Sequence, residues 1–105
     1  MTEQVSTEPA STEPGRPRLT LLSREDCPLC EHMLLELQIA AAAAQSPWDL
    51  EVLDVDAQPH LRSRYGHKVP VLLLEGEMVC HGRLDTGELR RELALRARQS
   101  LAGRR

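Results

Sequence analysis

Val71-Leu72-Leu73-Leu74 places apolar side chains at every position of a short run. Successive side chains of a strand point to opposite faces, so a strand built from these residues is apolar on both faces and reads as a buried central strand. Leu19, Leu21 and Leu22, ending at Ser23, form a second short apolar run and predict another buried strand. Leu50 to Val55 reads as a third, apolar on both faces, as an interior strand with helices above and below would be.

Helical period appears between these runs. Pro28 suits the first helical position, and Met33, Leu34, Leu37, Ala40, Ala41 and Ala44 recur at spacings of three and four, which predicts a helix ending before Ser46-Pro47. Pro59 to Tyr65 predicts a short second helix, with Gly66 placed to end it. Glu75-Gly76-Glu77 turns the chain into a fourth strand, Met78 to His81. Asp85 and Glu88 then form a capping-box-like pair, Leu84 and Leu89 sit at hydrophobic-staple positions, and Leu89, Leu93, Ala97 and Leu101 share one face of a closing helix. The order β-α-β-α-β-β-α predicts an α/β fold, a four-stranded mixed sheet with helices on both faces.

Residues 2–17 are mostly Thr, Glu, Pro and Ser, with Ser6-Thr7-Glu8-Pro9-Ala10 repeated as Ser11-Thr12-Glu13-Pro14-Gly15. So few apolar residues cannot offset the entropy of ordering, which predicts a disordered tail over 1–17, a folded domain over 18–100 and a basic tail over 101–105. The chain of 105 residues carries 16 acidic and 13 basic side chains, a formal charge of −3. That balance offers no overall basic surface for a phosphate backbone, so no nucleic-acid partner is expected. The longest apolar run, Ile39 to Ala44, falls far short of the about 20 residues of a spanning helix, so no membrane association is expected. The N-terminus has neither a positive start nor an apolar stretch, unlike a secretory signal, and the expected location is the cytoplasm.

A reducing compartment changes how the cysteines are read. Structural disulfides rarely persist there, and three cysteines cannot all pair within one chain, so catalysis or metal binding explains them better. The strongest chemical signal is Cys27-Pro28-Leu29-Cys30 at a strand–helix junction. With Pro28 at the first helical position, Cys27 is the N-cap and Cys30 lies one turn inside. Cys27 then faces the free N–H groups of the helix start, which favour thiolate over thiol. Glu25, Asp26 and Glu31 act in the opposite direction, with Arg24 in compensation, so moderate activation is expected. The alternatives are half of a zinc or iron–sulfur site, or an inert pair.

Cys27-Pro28-Leu29-Cys30 after the first strand, Lys68-Val69-Pro70 before the third and Gly76 in the following hairpin resemble the thioredoxin fold. Within it they are most similar to small bacterial glutaredoxin-like domains, over about residues 18–100. The resemblance implies that Cys27 is the attacking thiol, that Cys30 resolves, and that Val69-Pro70 is a cis peptide beside them. A cis-proline there would turn the Val69 N–H and C=O toward an extended thiol substrate. The substrates implied are protein disulfides or glutathionylated proteins, and the reductant is a thioredoxin-type protein or glutathione. Two features depart from glutaredoxins. Asp26 precedes Cys27 where an aromatic is usual, and Cys80-His81 fall near the place of a Gly-Gly pair that lies against glutathione. No tightly bound cofactor is expected and glutathione binding is disfavoured, although Lys68 or Arg24 could meet a substrate carboxylate.

The remaining candidates have plainer readings. Cys80 is a third redox thiol, a metal ligand, or, more in keeping with cysteine generally, a small buried hydrophobe. His32, His67 and His81 could complete a metal site with the cysteines, but no second Cys-x-x-Cys or His-x-x-x-His is present, and they read, with His60, as surface histidines. The arginines of the last helix, interrupted by Glu88 and Glu92, read as a solvated face, with an acidic partner as the alternative. Two rivals to an enzyme stand: a zinc or iron–sulfur module using Cys27, Cys30 and Cys80, and a redox-inactive adaptor that binds peptides along the cis-proline edge.

Overall fold

The computed structural model describes residues 16–44 and 47–103. Its elements are β1 (Arg18–Ser23), α1 (Pro28–Ala43), β2 (Asp49–Asp54), a 3-10 turn (Val55–Ala57), α2 (Pro59–Tyr65), β3 (Val71–Leu74), β4 (Glu77–His81) and α3 (Thr86–Gly103). The sheet order is β2-β1-β3-β4, with β1 parallel to β2 and antiparallel to β3, and β3 antiparallel to β4. This is the mixed α/β arrangement expected from the sequence.

The all-apolar strands occupy the centre. Every residue of β3 is buried, as are Leu19, Leu21 and Leu22 of β1. The alternating side chains feed two clusters. Leu19, Leu21, Leu72 and Leu74 meet Met33 and Leu37 of α1 and Leu89 of α3 on one face. Leu22, Val71 and Leu73 meet Val55 and Tyr65 on the other. The β3–β4 hairpin turns through Glu75 at φ 51° and Gly76 at φ 88°, the paired positive angles that a two-residue turn matching strand twist demands. A register shift between Leu72 and Leu73 follows, and it lets both Val79 and Cys80 pack toward the α1–α3 cluster.

β2 corrects the sequence reading. It is an edge strand, not an interior one, and it spans Asp49–Asp54, while Val55 turns into the core from the 3-10 turn. Asp49, Glu51 and Asp54 carry the reason, since charges along a strand suit a solvent-facing edge and deter further pairing. Val52 is correspondingly exposed. In the helices Ala41, Ala44 and Ala97 are exposed although their spacing put them on the apolar stripes. Alanine has too little apolar surface for its position in a pattern to decide its burial. Gly66 does end α2, but in the right-handed helical region, not the left-handed one. A Cβ there would lie 2.5 Å from the Arg62 carbonyl oxygen, so close packing is what requires glycine.

The ends of the domain also differ from expectation. Arg16 pairs with Asp49 at 3.1 Å, and the Pro17 carbonyl accepts from the Asp49 N–H at 2.8 Å, so two residues assigned to the tail belong to the folded part. The rest of that tail, residues 1–15, lies outside the described residues, as do 104 and 105. α3 runs through Gly103, past the boundary drawn at residue 100. Its start is capped as expected by Asp85, whose Oδ1 accepts from the Glu88 N–H at 2.9 Å, but the Glu88 carboxylate pairs with Arg91 and does not complete a capping box. Among the described residues no helix is long and apolar enough to cross a membrane.

Burial separates two neighbouring positions of α1. Leu37→Ala, at 0% exposure, should lower unfolding free energy by about 2–5 kcal/mol through lost burial and a residual cavity. Ile39→Ala, at 62% exposure, should stay within ~0.5 kcal/mol of the parent. Urea denaturation of both variants checks the assignment of the core face.

Candidate active site

The antiparallel register Leu22↔Val71 sets the end of β1 beside the start of β3. The loop carrying Cys27 and the loop carrying Val69-Pro70 therefore leave the sheet at the same edge. The Val69-Pro70 peptide is cis, as the resemblance implied, and Pro70 is fully buried. Its carbonyl accepts from the Gly82 N–H at 2.8 Å, which ties this loop to the end of β4. The N–H and C=O of Val69 have no partner among the described residues.

Cys27 caps α1. Its φ of −118° and ψ of 98° are extended, Pro28 follows in the first turn, and the Cys27 sulfur accepts from the Cys30 N–H at 3.2 Å. Sulfur thus fills the place that a Ser or Asp oxygen takes in most caps. Cys27 and Cys30 form a disulfide with Cα atoms 5.2 Å apart, inside the ordinary range for such a bond. Cys27 is half-buried and Cys30 is 1% exposed. Asp26, at φ 56°, supplies the left-handed step that turns the chain into the cap, a conformation Asp tolerates better than most residues.

Charge around the pair is mainly negative. Glu25, Asp26 and Glu31, with Asp54 of β2, line an open groove of about 510 Å³ beside the helix start. Arg24 lines it too, but its guanidinium is engaged. Nε and Nη2 donate to the two Asp56 carboxylate oxygens at 2.8 and 3.0 Å, and Nη1 donates to the Gly66 carbonyl at 3.0 Å. The hydrogen bond from Arg24 holds the Asp56 carboxyl below its usual range. With its folded value lowered, this group's stabilisation is present above the ordinary Asp value and is lost as pH falls through the folded one. Lys68 is half-buried, its N–H donates to the Tyr65 carbonyl, and its ammonium has no ion pair among the described residues.

The other sequence candidates are placed apart from this centre. Cys80 pairs with Leu72 across the sheet and packs against the α1–α3 cluster. Burial pushes its thiol above the ordinary value, partly opposed by a hydrogen bond from the Asp85 backbone and reinforced by the Asp85 and Glu88 charges. His32 lies 3.3 Å from Glu36 on α1, and His60, His67 and His81 are exposed. Among the described residues no group of three or more His, Cys, Asp or Glu side chains is arranged to hold a metal ion. Sequence reasoning missed Asp56 and Gly66 as partners of Arg24, which they follow by 32 and 42 positions with no local pattern to announce the contact. It also missed Gly82, whose φ of 80° and unobstructed Cβ position make it the conformationally free residue after β4.

A strand–helix junction with a capping disulfide beside a cis-proline loop, on a β-α-β-α-β-β-α framework, defines a thiol–disulfide oxidoreductase of the thioredoxin fold. Residues 18–94 match the model of the "Glutaredoxin-like domain (DUF836)" family, and the chain belongs to that family. It is 31% identical over 85 residues to protein Mb0520 of Mycobacterium bovis and, to the same degree, to protein Rv0508 of Mycobacterium tuberculosis, covering 76% of this chain and 86% of each relative. The solution structure of protein Ne2328 from Nitrosomonas europaea superposes with a TM-score of 0.67 at 30% identity, covering 77% of this chain and 95% of that one. An X-ray structure of a structural-genomics target from X. campestris gives 0.55 at 32%, covering 73% and 96%. Thioredoxin 1 of Thermosipho africanus, at 18% identity and a TM-score of 0.51 over 74% of this chain and 96% of its own, shares the fold.

Exposure and charge order the three thiols. In reduced protein alkylated at limiting reagent near neutral pH, Cys27 should label first and Cys80 should lag behind it, with the lag shrinking as pH rises, because its raised value leaves less thiolate at any given pH. Mass mapping of the labelled peptides across pH checks both, and preferential labelling of Cys30 would reverse the assigned order.

Proposed function

We propose that this protein reduces disulfides in proteins, or mixed disulfides carried on proteins, through the Cys27–Cys30 dithiol. The Cys27 thiolate attacks one sulfur of the substrate disulfide, that S–S bond breaks, and the released thiolate takes up a proton. The Cys30 thiolate then attacks the Cys27 sulfur of the mixed disulfide and expels the second substrate thiol. The two electrons end on the substrate, and the Cys27–Cys30 disulfide remains. The observation that carries this reading is the asymmetry of the pair: Cys27 is half-buried, caps the helix and accepts from the Cys30 N–H, while Cys30 is enclosed beneath it. The unpaired Val69 backbone supports an extended substrate segment bonding along that edge.

The reductant we propose is a thioredoxin-type protein, with glutathione binding weakly. The acidic groove repels a tripeptide of net negative charge, and Arg24, a candidate for its carboxylate, is already held by Asp56. Lys68 remains as the cation for a substrate carboxylate. Of the two side chains near the place of the glycine pair, Cys80 packs inward and the exposed His81 is the one that would obstruct glutathione. Salt should weaken the repulsion, which is screened over about 8 Å at physiological ionic strength.

Cys30→Ser should trap substrate as a mixed disulfide on Cys27, detected by mass spectrometry and released by dithiothreitol. No adduct on Cys27 after exposure to disulfide-containing protein would count against the reaction. A thioredoxin-type reductant should reduce the oxidised protein faster than glutathione, and Glu25→Gln with Glu31→Gln should raise the glutathione rate at low salt. Efficient glutathione turnover by the parent, unaffected by these changes, would make it an ordinary glutaredoxin.

A further inference from the structure

Arg24 stands immediately after β1 and shortly before Cys27, and its side chain joins two other segments. Its fork takes both oxygens of Asp56 and its remaining terminal nitrogen takes the Gly66 carbonyl, at 2.8, 3.0 and 3.0 Å. Both anchors are themselves fixed. Asp56 sits in the 3-10 turn, where its N–H donates to Asp54 Oδ1 at 2.9 Å and the neighbouring Val55 is fully buried under Leu22 and Val71. Gly66 is buried at the end of α2, and a Cβ on it would stand 3.3 Å from Arg24 Nη2 as well as against the Arg62 carbonyl. The guanidinium thus packs closely against a backbone that has no side chain at residue 66.

From Gly66 the chain runs directly through His67 and Lys68 to Val69-Pro70. We infer that Arg24 is a positioning residue that locks the cysteine loop to the Val69-Pro70 loop through Asp56 and the Gly66 carbonyl, and so sets the gap that a polypeptide disulfide enters. This rests on the proposed reduction of such disulfides at Cys27. A planar fork with several fixed donors suits the task, whereas a lysine at the same place brings a compact ammonium whose three rotatable donors lack the fixed spacing that spans both oxygens and the carbonyl. The ion pair is partly exposed, so its contribution to global stability is small, and what it fixes is the relation between two loops.

Two measurements separate this role from its rivals. For a disulfide-linked peptide substrate, Arg24→Gln, Arg24→Lys and Asp56→Asn should each lower kcat/KM by roughly tenfold to a hundredfold, the cost of a misplacement near 1 Å, with most of the loss in KM because the gap receives the substrate before any bond changes. The Arg24→Gln, Asp56→Asn double variant should be no worse than the singles, because both remove one linkage. Alkylation of Cys27 by iodoacetamide in the reduced protein, which needs only one loop, should stay within about twofold of the parent. Independently of turnover, amide resonances of residues 66–69 should shift or broaden in Arg24→Gln while those of β3 stay in place.

If Arg24 instead bound a substrate carboxylate directly, Asp56→Asn would free it and lower KM, and that result overturns the inference. Unchanged KM together with unperturbed 66–69 resonances in Arg24→Gln overturns it equally. Should the parent fail to reduce the peptide disulfide, the proposed reaction falls, and the resonances of 66–69 still decide whether the loops are linked. Asp56→Asn, isosteric and at a partly exposed position, keeps the comparison open if an Arg24 variant folds poorly.

Discussion

Burial of β1 and β3 on both faces is the constraint from which the rest of the molecule follows. Leucine and valine side chains point alternately into the α1–α3 layer and into the layer formed by the 3-10 turn and α2, so neither strand can be stable without both. At ~25 cal/mol per Å² of apolar surface, this sandwiching is the main favourable term available to a chain with only two aromatics, Trp48 and Tyr65. It also fixes the antiparallel register of the central pair. That register brings the loop after β1 and the loop before β3 to one edge, where the chemistry is assembled.

At that edge two electrostatic influences act on the cysteines in opposite directions. The N-terminus of α1 directs the Cys30 backbone N–H at the Cys27 sulfur, and the local carboxylates of Glu25, Asp26 and Glu31 oppose negative charge there. The arginine that would balance them is drawn away to Asp56. The result is a disulfide centre with an acidic border, in a protein whose nearest cation, by position along the chain, serves to join loops. In the proposed function the same border would repel negatively charged thiols before any contact is made.

Sequence alone determined the features that depend on neighbours along the chain. Cys27 as an N-cap followed by Pro28, Asp85 capping α3 and the tight turn at Gly76 are local arrangements, set by hydrogen bonds and φ angles within a few residues. The consecutive apolar residues of β3 had to be buried whatever surrounded them. Element order followed from these, and with it the fold. Strand position did not: Leu50 to Val55 has enough apolar residues for an interior strand, and its charges reveal an edge only once the other strands have taken the centre. The fate of Ala41, Ala44 and Ala97 was equally open, since their small surfaces follow the packing of larger neighbours.

Tertiary structure alone decided the company kept by Arg24. By sequence it was a cation three residues before a reactive cysteine and a natural candidate for a substrate carboxylate. Its partners lie in the 3-10 turn and at the end of α2, and the contact forms only because the second cluster brings those segments under the end of β1. Cys80 is a similar case, since the register shift in β4, not its place in the sequence, packs it with Val79 toward the α1–α3 core. Local bonding rules can be read from the chain because their partners are adjacent in it, whereas a long side chain's partner is chosen by whichever distant segment the packed core places within its reach.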